Sequence, residues 1–288
     1  VIQTETVVVN DLETRYLHGG PEGAPVVVFL HDGAWGASAD VTWSGVLPLA
    51  AERFRVIAPD LLGFGGSAKA IRLDQAPFGF RLRHVLALLD QLGITEPVHL
   101  VGSSFGGSVA LRGLTDPALR ARIASATTIS GTGGPWRTEA GAALGPFDGT
   151  EADVRRIVGL LVDDYAGIDD QVRERYRWAV VPGHYAGVMA IHTPVPEALQ
   201  VERPADPYPA SLGGVQQPVL LVACTQDPLV DQAWTGHLRE VLPQAQVAEL
   251  PHKHSPNISH PEETWQVLED FLAGVAGLTR EGATSAAE

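Results

Sequence analysis

The sequence holds one cysteine, Cys224, in 288 residues. A lone cysteine cannot make an intrachain disulfide, so the fold must rest on its core, and a reducing, cytoplasmic setting is expected. Long apolar runs are also missing. Runs such as Val26 to Leu30 fall far short of the roughly 18 residues that mark a membrane span, so no membrane association is expected. The first residues, Val1-Ile2-Gln3-Thr4-Glu5, lack the basic-then-apolar order of a secretory signal, and none is expected. Basic residues are scarce. Lys plus Arg total 20 against 34 Asp plus Glu, a formal charge of -14. Such a surface repels phosphate backbones and argues against nucleic acid as a partner. It also disfavours anionic small molecules unless a local arginine or lysine offsets the field. No internal repeat is visible.

Hydrophobic residues make up 45% and charged residues 19%, a globular composition. Thr6 to Val9 and Thr14 to Leu17 read as two strands joined by the turn pair Asn10-Asp11. Pro25 to Leu30, Phe54 to Ala58 and Pro97 to Val101 are continuous apolar runs, as suits strands buried on both faces of a parallel sheet. Phe80 to Asp90 has apolar residues at helical spacing and stops before Gly93. Ile123 to Ile129 reads as a further strand. The composition then shifts: Gly131 to Gly149 is rich in Gly, Pro and Ala, helical patterns cover Glu151 to Asp164 and Asp169 to Val180, and Pro194 to Pro209 is proline-dense. Strand and helix alternation resumes at Pro218 to Ala223, with a helix near Trp234 to Leu242, a strand over Gln246 to Leu250 and a last helix from Pro261 to Leu272. These patterns predict one parallel-rich α/β domain over 1–288, with a helical lid inserted at 132–210 and a small polar tail, 279–288, expected to be disordered.

Gly102-Ser103-Ser104-Phe105-Gly106 has the form G-x-S-x-G between a strand run and the helical run Ser108 to Leu114. A serine at such a turn is held in a strained backbone, with its oxygen above the carboxyl edge of the sheet. The alternative is a glycine-rich turn that packs or binds phosphate, but no Gly-Lys-Ser/Thr follows. Serine needs an imidazole to take its proton, and the imidazole needs a carboxylate to fix its tautomer. Asp227 lies just beyond the strand ending at Ala223, and His254 just beyond the strand ending at Leu250. Both are expected at the edge that carries Ser104. Asp231 is a rival carboxylate that looks like a helix cap. His252-x-His254 has metal-ligand spacing but no obvious third ligand, so no metal and no cofactor are expected. His31-Asp32-Gly33-Ala34-Trp35-Gly36-Ala37 follows the strand ending at Leu30. The amide of Gly33 or Ala34, with that of Phe105, is expected to form an oxyanion hole.

With these residues the chain resembles the α/β-hydrolase family, and within it the meta-cleavage product hydrolases, which split carbon-carbon bonds in ring-fission products of aromatic breakdown. The resemblance rests on the His31 to Ser38 loop, on Pro59-Asp60-Leu61-Leu62-Gly63-Phe64-Gly65-Gly66-Ser67 and on the serine turn. It implies an α/β-hydrolase fold, mostly parallel with helices on both faces, and a small-molecule substrate. It further implies that a lid arginine, here Arg175, holds a substrate carboxylate, and it places Asp32 and Thr42 at the substrate site. Arg175 also has a plainer reading as a solvated residue, because Arg173, Arg175 and Arg177 share a charged helix. This sequence departs from the family pattern at Asp32, Thr42 and Ser255. Asp32 in particular adds a carboxylate near developing negative charge, which would hinder catalysis unless it is paired or turned away. An ester, lactone or amide hydrolase with the same machinery, and a ligand-binding scaffold with little turnover, are the competing functions. A carboxylate-nucleophile enzyme is set aside because position 104 is serine. The oligomeric state is left open.

Overall fold

A computed structural model of the chain describes residues 1–190, 194, 196–199 and 205–278. The expected tail, 279–288, and part of the proline-dense stretch lie outside the described residues. Eight strands follow in chain order: β1 (Gln3–Val9), β2 (Leu12–Gly19), β3 (Val26–Leu30), β4 (Arg55–Pro59), β5 (Val98–Ser103), β6 (Ile123–Ile129), β7 (Val219–Cys224) and β8 (Gln246–Leu250). They form one sheet in the order β1-β2-β4-β3-β5-β6-β7-β8. β1 and β2 are an antiparallel hairpin, with Val9 opposite Leu12 across Asn10-Asp11. β2 pairs antiparallel with β4, and from β4 to β8 every pairing is parallel.

The apolar runs are strands because both of their faces are covered. In β3, Val28 and Leu30 enter one core with Leu82, Val85 and Leu88 of helix Gly79–Gln91 and Val109 of helix Phe105–Gly113. Val27 and Phe29 enter the opposite core with Trp43 and with Trp265, Leu268 and Leu272 of helix Pro261–Ala276. Alternate residues face opposite layers, as the two-residue period of a strand requires. Burying each such side chain is worth about 1.5–3 kcal/mol, which holds a domain of this size without staples.

The insertion has its own small core. Helix Glu151–Leu161 is capped by Thr150, whose hydroxyl accepts from the Asp153 amide. Its apolar residues Val154, Ile157, Val158 and Leu161 fall on one face and pack with Val172 and Ala179 of helix Ile168–Ala179. The same cluster includes Ala34 and Trp35 from the loop after β3 and Leu229 from the loop after β7. The lid therefore seats on the two loops that flank the expected site. A further lid helix, His184–Met189, has no clear apolar period in the sequence. Among the described residues no helix is long and apolar enough to cross a membrane.

Candidate functional site

Parallel strands β3, β5, β7 and β8 end at one edge, and the loops that follow them carry the residues singled out above. Ser104 adopts φ 51° and ψ -111°, in the region that costs a side-chain-bearing residue strain. Three contacts hold it there. Its amide donates to the Ile129 carbonyl at 2.7 Å, and its carbonyl accepts from Ser108 at 2.9 Å. Gly106 lets the helix close on β3, because a Cβ there would fall onto the Leu30 carbonyl. The two glycines at 106 and 107 weaken the helical signal in the sequence, which is why the pattern starts at Ser108 while the helix starts at Phe105.

Three side chains converge. Ser104 Oγ lies 2.7 Å from His254 Nε2, and His254 Nδ1 lies 2.7 Å from Asp227 Oδ2. The second carboxylate oxygen of Asp227 accepts from the Leu229 amide at 2.8 Å. The carboxylate is thus fixed from both sides. It assigns the proton of the neutral imidazole to Nδ1 and leaves Nε2 to accept from the serine. His254 and Asp227 are buried, whereas Ser104 is partly open. Asp231 does not join them; its carboxylate accepts from the Ala233 amide at the head of helix Trp234–Val241. With His254 committed to Ser104 and Asp227, the pair His252-x-His254 does not share one ligand set.

The loop after β3 lies against the serine turn. A Cβ on Gly33 would collide with the Phe105 side chain, so only glycine allows this approach. The amides of Gly33 and Phe105 have no hydrogen-bond partner among the described residues. Ala34 is a correction. Its amide donates to Asp32 Oδ1 at 2.9 Å and is therefore not available to an oxyanion. Of the two alternatives, Gly33 keeps a free donor.

Arg175 is fully buried rather than solvated, and its guanidinium faces Asp32. Nη1 and Nη2 grip Asp32 Oδ1 and Oδ2 at 3.1 and 2.8 Å, a two-pronged ion pair. Thr42 serves the same carboxylate, its hydroxyl donating to Oδ2 at 2.8 Å. Asp32 and Thr42 are thus partners with Arg175 in one buried cluster. Burial alone would raise the Asp32 carboxyl, but the Arg175 guanidinium outweighs it and holds the group well below the usual carboxylate range. The charge that threatened the oxyanion site is neutralised in place.

Other supports were hidden in the sequence. His31 Nε2 accepts from the Leu61 amide at 2.9 Å and Nδ1 donates to the Asp32 carbonyl at 2.6 Å, tying the loops after β3 and β4. Asp60 is structural: its carboxylate accepts from the Ala39 and Gly66 amides and from Arg15. Asn257 Nδ2 donates to the Thr42 carbonyl, and its Oδ1 accepts from Ser103 beside the serine turn. His184, from the lid, accepts the Gly36 amide at Nε2 and donates from Nδ1 to the Gly63 carbonyl, both at 3.1 Å. Burial pushes His184 down from 6.5 to about 4.

That shift sets a pH dependence. Below 6.5 the unfolded chain takes up a proton at this position and the folded chain resists it until about pH 4. The contribution is full above pH 6.5 and is lost as pH falls toward 4, amounting to about 3 kcal/mol. Urea unfolding at pH 7 and pH 4.5 is expected to show this loss in the wild type and a smaller one in His184→Gln, whose amide stays neutral. Equal losses in both proteins would remove His184 as the cause.

Comparison with known proteins agrees with this architecture. Residues 27–267 match the model of the Alpha/beta hydrolase family. The chain is 29% identical over 278 residues to 2-hydroxy-6-oxo-6-(2'-aminophenyl)hexa-2,4-dienoic acid hydrolase of Metapseudomonas resinovorans, covering 94% of this chain and 91% of that one. It is 28% identical to 2-hydroxymuconate semialdehyde hydrolase of Pseudomonas sp. (strain CF600), over 89% of each chain. Among solved structures it superposes on 2-hydroxy-6-oxo-6-phenylhexa-2,4-dienoate hydrolase from Rhodococcus sp. strain RHA1 with a TM-score of 0.80 and 26% identity, over 94% of this chain and 99% of that one. A family model that spans most of the sheet, together with relatives matched nearly end to end, makes this chain a member of the α/β-hydrolase family.

Proposed function

We propose that the chain is a serine hydrolase that cleaves a carbon-carbon bond in a vinylogous diketone, the class of compound produced when an aromatic ring is opened. The observation that carries the reading is the continuous contact from Ser104 through His254 to Asp227, 2.7 Å at each step. The substrate's dienol first gives up its hydroxyl proton and takes one up at carbon, which makes a conjugated ketone at that end of the molecule. Ser104 Oγ then attacks the other carbonyl, bonded to the newly protonated carbon, as its proton passes to His254 Nε2 and the carbonyl electron pair moves to oxygen. The amides of Gly33 and Phe105 stabilise that oxyanion. As the carbonyl re-forms, the carbon-carbon bond breaks, and its electron pair leaves on the departing carbon, which takes the proton from His254. Water, deprotonated by the same imidazole, releases the acyl group from Ser104. The carbon-carbon hydrolases matched along almost the whole chain support this substrate class. The lone cysteine, buried and unpaired, suits a cytoplasmic setting for the enzyme.

One observation favours a second reading, an esterase with the same machinery. The Arg175 fork is filled by Asp32, so a substrate carboxylate finds no counter-ion there. A panel of ring-fission dienoates and uncharged p-nitrophenyl esters separates the two. Rapid loss of dienoate absorbance with acid product, at a kcat/KM above that for the esters, is the expected result. Ester turnover with intact dienoate would overturn the carbon-carbon assignment and favour the esterase.

A further inference from the structure

Beside the triad lies a second cluster that the reaction does not use. Asp163 follows lid helix Glu151–Leu161, His252 stands two residues before His254, and His260 precedes helix Pro261–Ala276. One ligand atom from each lies within 4.8 Å of the others. Asp163 Oδ2 is 3.2 Å from His252 Nδ1 and 3.5 Å from His260 Nδ1. Donors bound to one tetrahedral cation at about 2.0–2.1 Å stand about 3.4 Å apart, so these spacings match the edges of such a site. The carboxylate oxygen at its centre is buried yet has no hydrogen-bond partner among the described residues. The ring nitrogens approach it but lie off the hydrogen-bond line. A buried carboxylate oxygen left in this state is costly unless a cation satisfies it.

The surroundings are also those of a metal site. His252 Nε2 is 2.7 Å from Glu263 Oε2, the outer carboxylate that commonly orients a ligating imidazole. The lid helix and the loop that carries His252 are already fastened together. The Ser255 amide donates to the Leu161 carbonyl at 2.8 Å, and Lys253 Nζ donates to the Gly159 carbonyl at 2.9 Å. One adjustment is needed. The rings of His252 and His260 stack with centroids 3.7 Å apart, so coordination turns one of them about its Cβ–Cγ bond. His260 is a third exposed, and its Nδ1 contacts Ser259 Oγ and Asp163 Oδ2.

We propose that Asp163, His252 and His260 form a site for one divalent transition cation of the zinc class, which clamps the lid to the loop that carries His254. Two nitrogens and one carboxylate oxygen are a borderline donor set that suits zinc, with water in the fourth position. The sequence pairs His252 with His254; the fold pairs it with His260 and a lid carboxylate 89 residues upstream. Bound cation stabilises the folded protein by mass action.

The test is calorimetric titration of tag-free, chelator-treated protein with zinc chloride, together with melting curves. The wild type is expected to bind one equivalent and to melt higher with zinc. Asp163→Asn and His260→Ala, both at partly exposed positions, are each expected to bind at least tenfold more weakly and to lose the melting shift, while Glu263→Gln loses affinity to a smaller extent. His254→Ala is expected to keep the site. No saturable binding by the wild type would overturn the proposal. So would binding that survives both Asp163→Asn and His260→Ala, or that disappears in His254→Ala alone, because the cation would then sit elsewhere.

Discussion

Ser104→Ala is expected to lower kcat on the order of 10⁴- to 10⁶-fold for every substrate the enzyme turns over, with the fold intact. The reasoning starts from the backbone. Position 104 is held at φ 51° by the hydrogen bond its amide donates to the Ile129 carbonyl, by the first helical turn and by the close glycines, none of which involves the hydroxyl. Alanine meets the same strain as serine, so the substitution removes one oxygen and little else. That oxygen touches His254 at 2.7 Å. Without it no acyl-enzyme can form, and the remaining rate comes from binding and from the Gly33 and Phe105 amides. Asp227→Asn tests the other end of the relay. The carboxamide nitrogen would face His254 Nδ1, turn the imidazole to the wrong tautomer and lower kcat by about 10⁴-fold. Steady-state kinetics with a melting curve for each variant check both. A Ser104→Ala enzyme retaining a tenth of wild-type turnover would falsify the nucleophile assignment.

The residues that do this chemistry were legible because each carries a local signal. Continuous apolar runs marked β3, β4 and β5, strand patterns and a turn pair marked the others, and the glycines around Ser104 marked the turn. Asp227 and His254 followed from their places after β7 and β8. The supports were not legible, because each is defined by a partner far away in the chain. Arg175 reads as one of three arginines on a charged helix; only the fold shows that it points inward to Asp32, 143 residues upstream. His184 sits in a six-residue helix flanked by glycine and aromatic residues, with no period to expose it. Short helices leave no pattern of their own: Ala39–Trp43 is set by its Ser38 cap and by packing, and Pro256–Ser259 starts at a proline without a side-chain cap. Asp32 is instructive for a different reason. Its carboxylate is recognisable in the sequence as a hazard to catalysis that pairing would remove, but nothing local marks the guanidinium of Arg175 as that partner.

Arg175→Met is expected to cost about 3–5 kcal/mol of stability, since it leaves the Asp32 carboxylate buried at 1% exposure without its counter-charge. The melting temperature should fall on the order of 10 °C. Thr42 and the Ala34 amide still donate to the carboxylate, which limits the damage without neutralising it. Catalysis suffers separately. An unpaired carboxylate one residue before the Gly33 donor opposes charge that develops in the transition state, so kcat should drop on the order of 10- to 100-fold with KM little changed. Charge removal should reverse much of this. The double variant Asp32→Asn/Arg175→Met carries no ion in the cluster and is expected to be more stable and more active than Arg175→Met alone, a coupling the single substitutions do not add up to. Substrate charge provides the opposing outcome. If Arg175→Met spared neutral esters and lost only carboxylated substrates, with no rescue from Asp32→Asn, then Arg175 would be reaching the substrate after all. Equal losses on both substrate types, restored by the second substitution, are what an arginine committed to Asp32 requires.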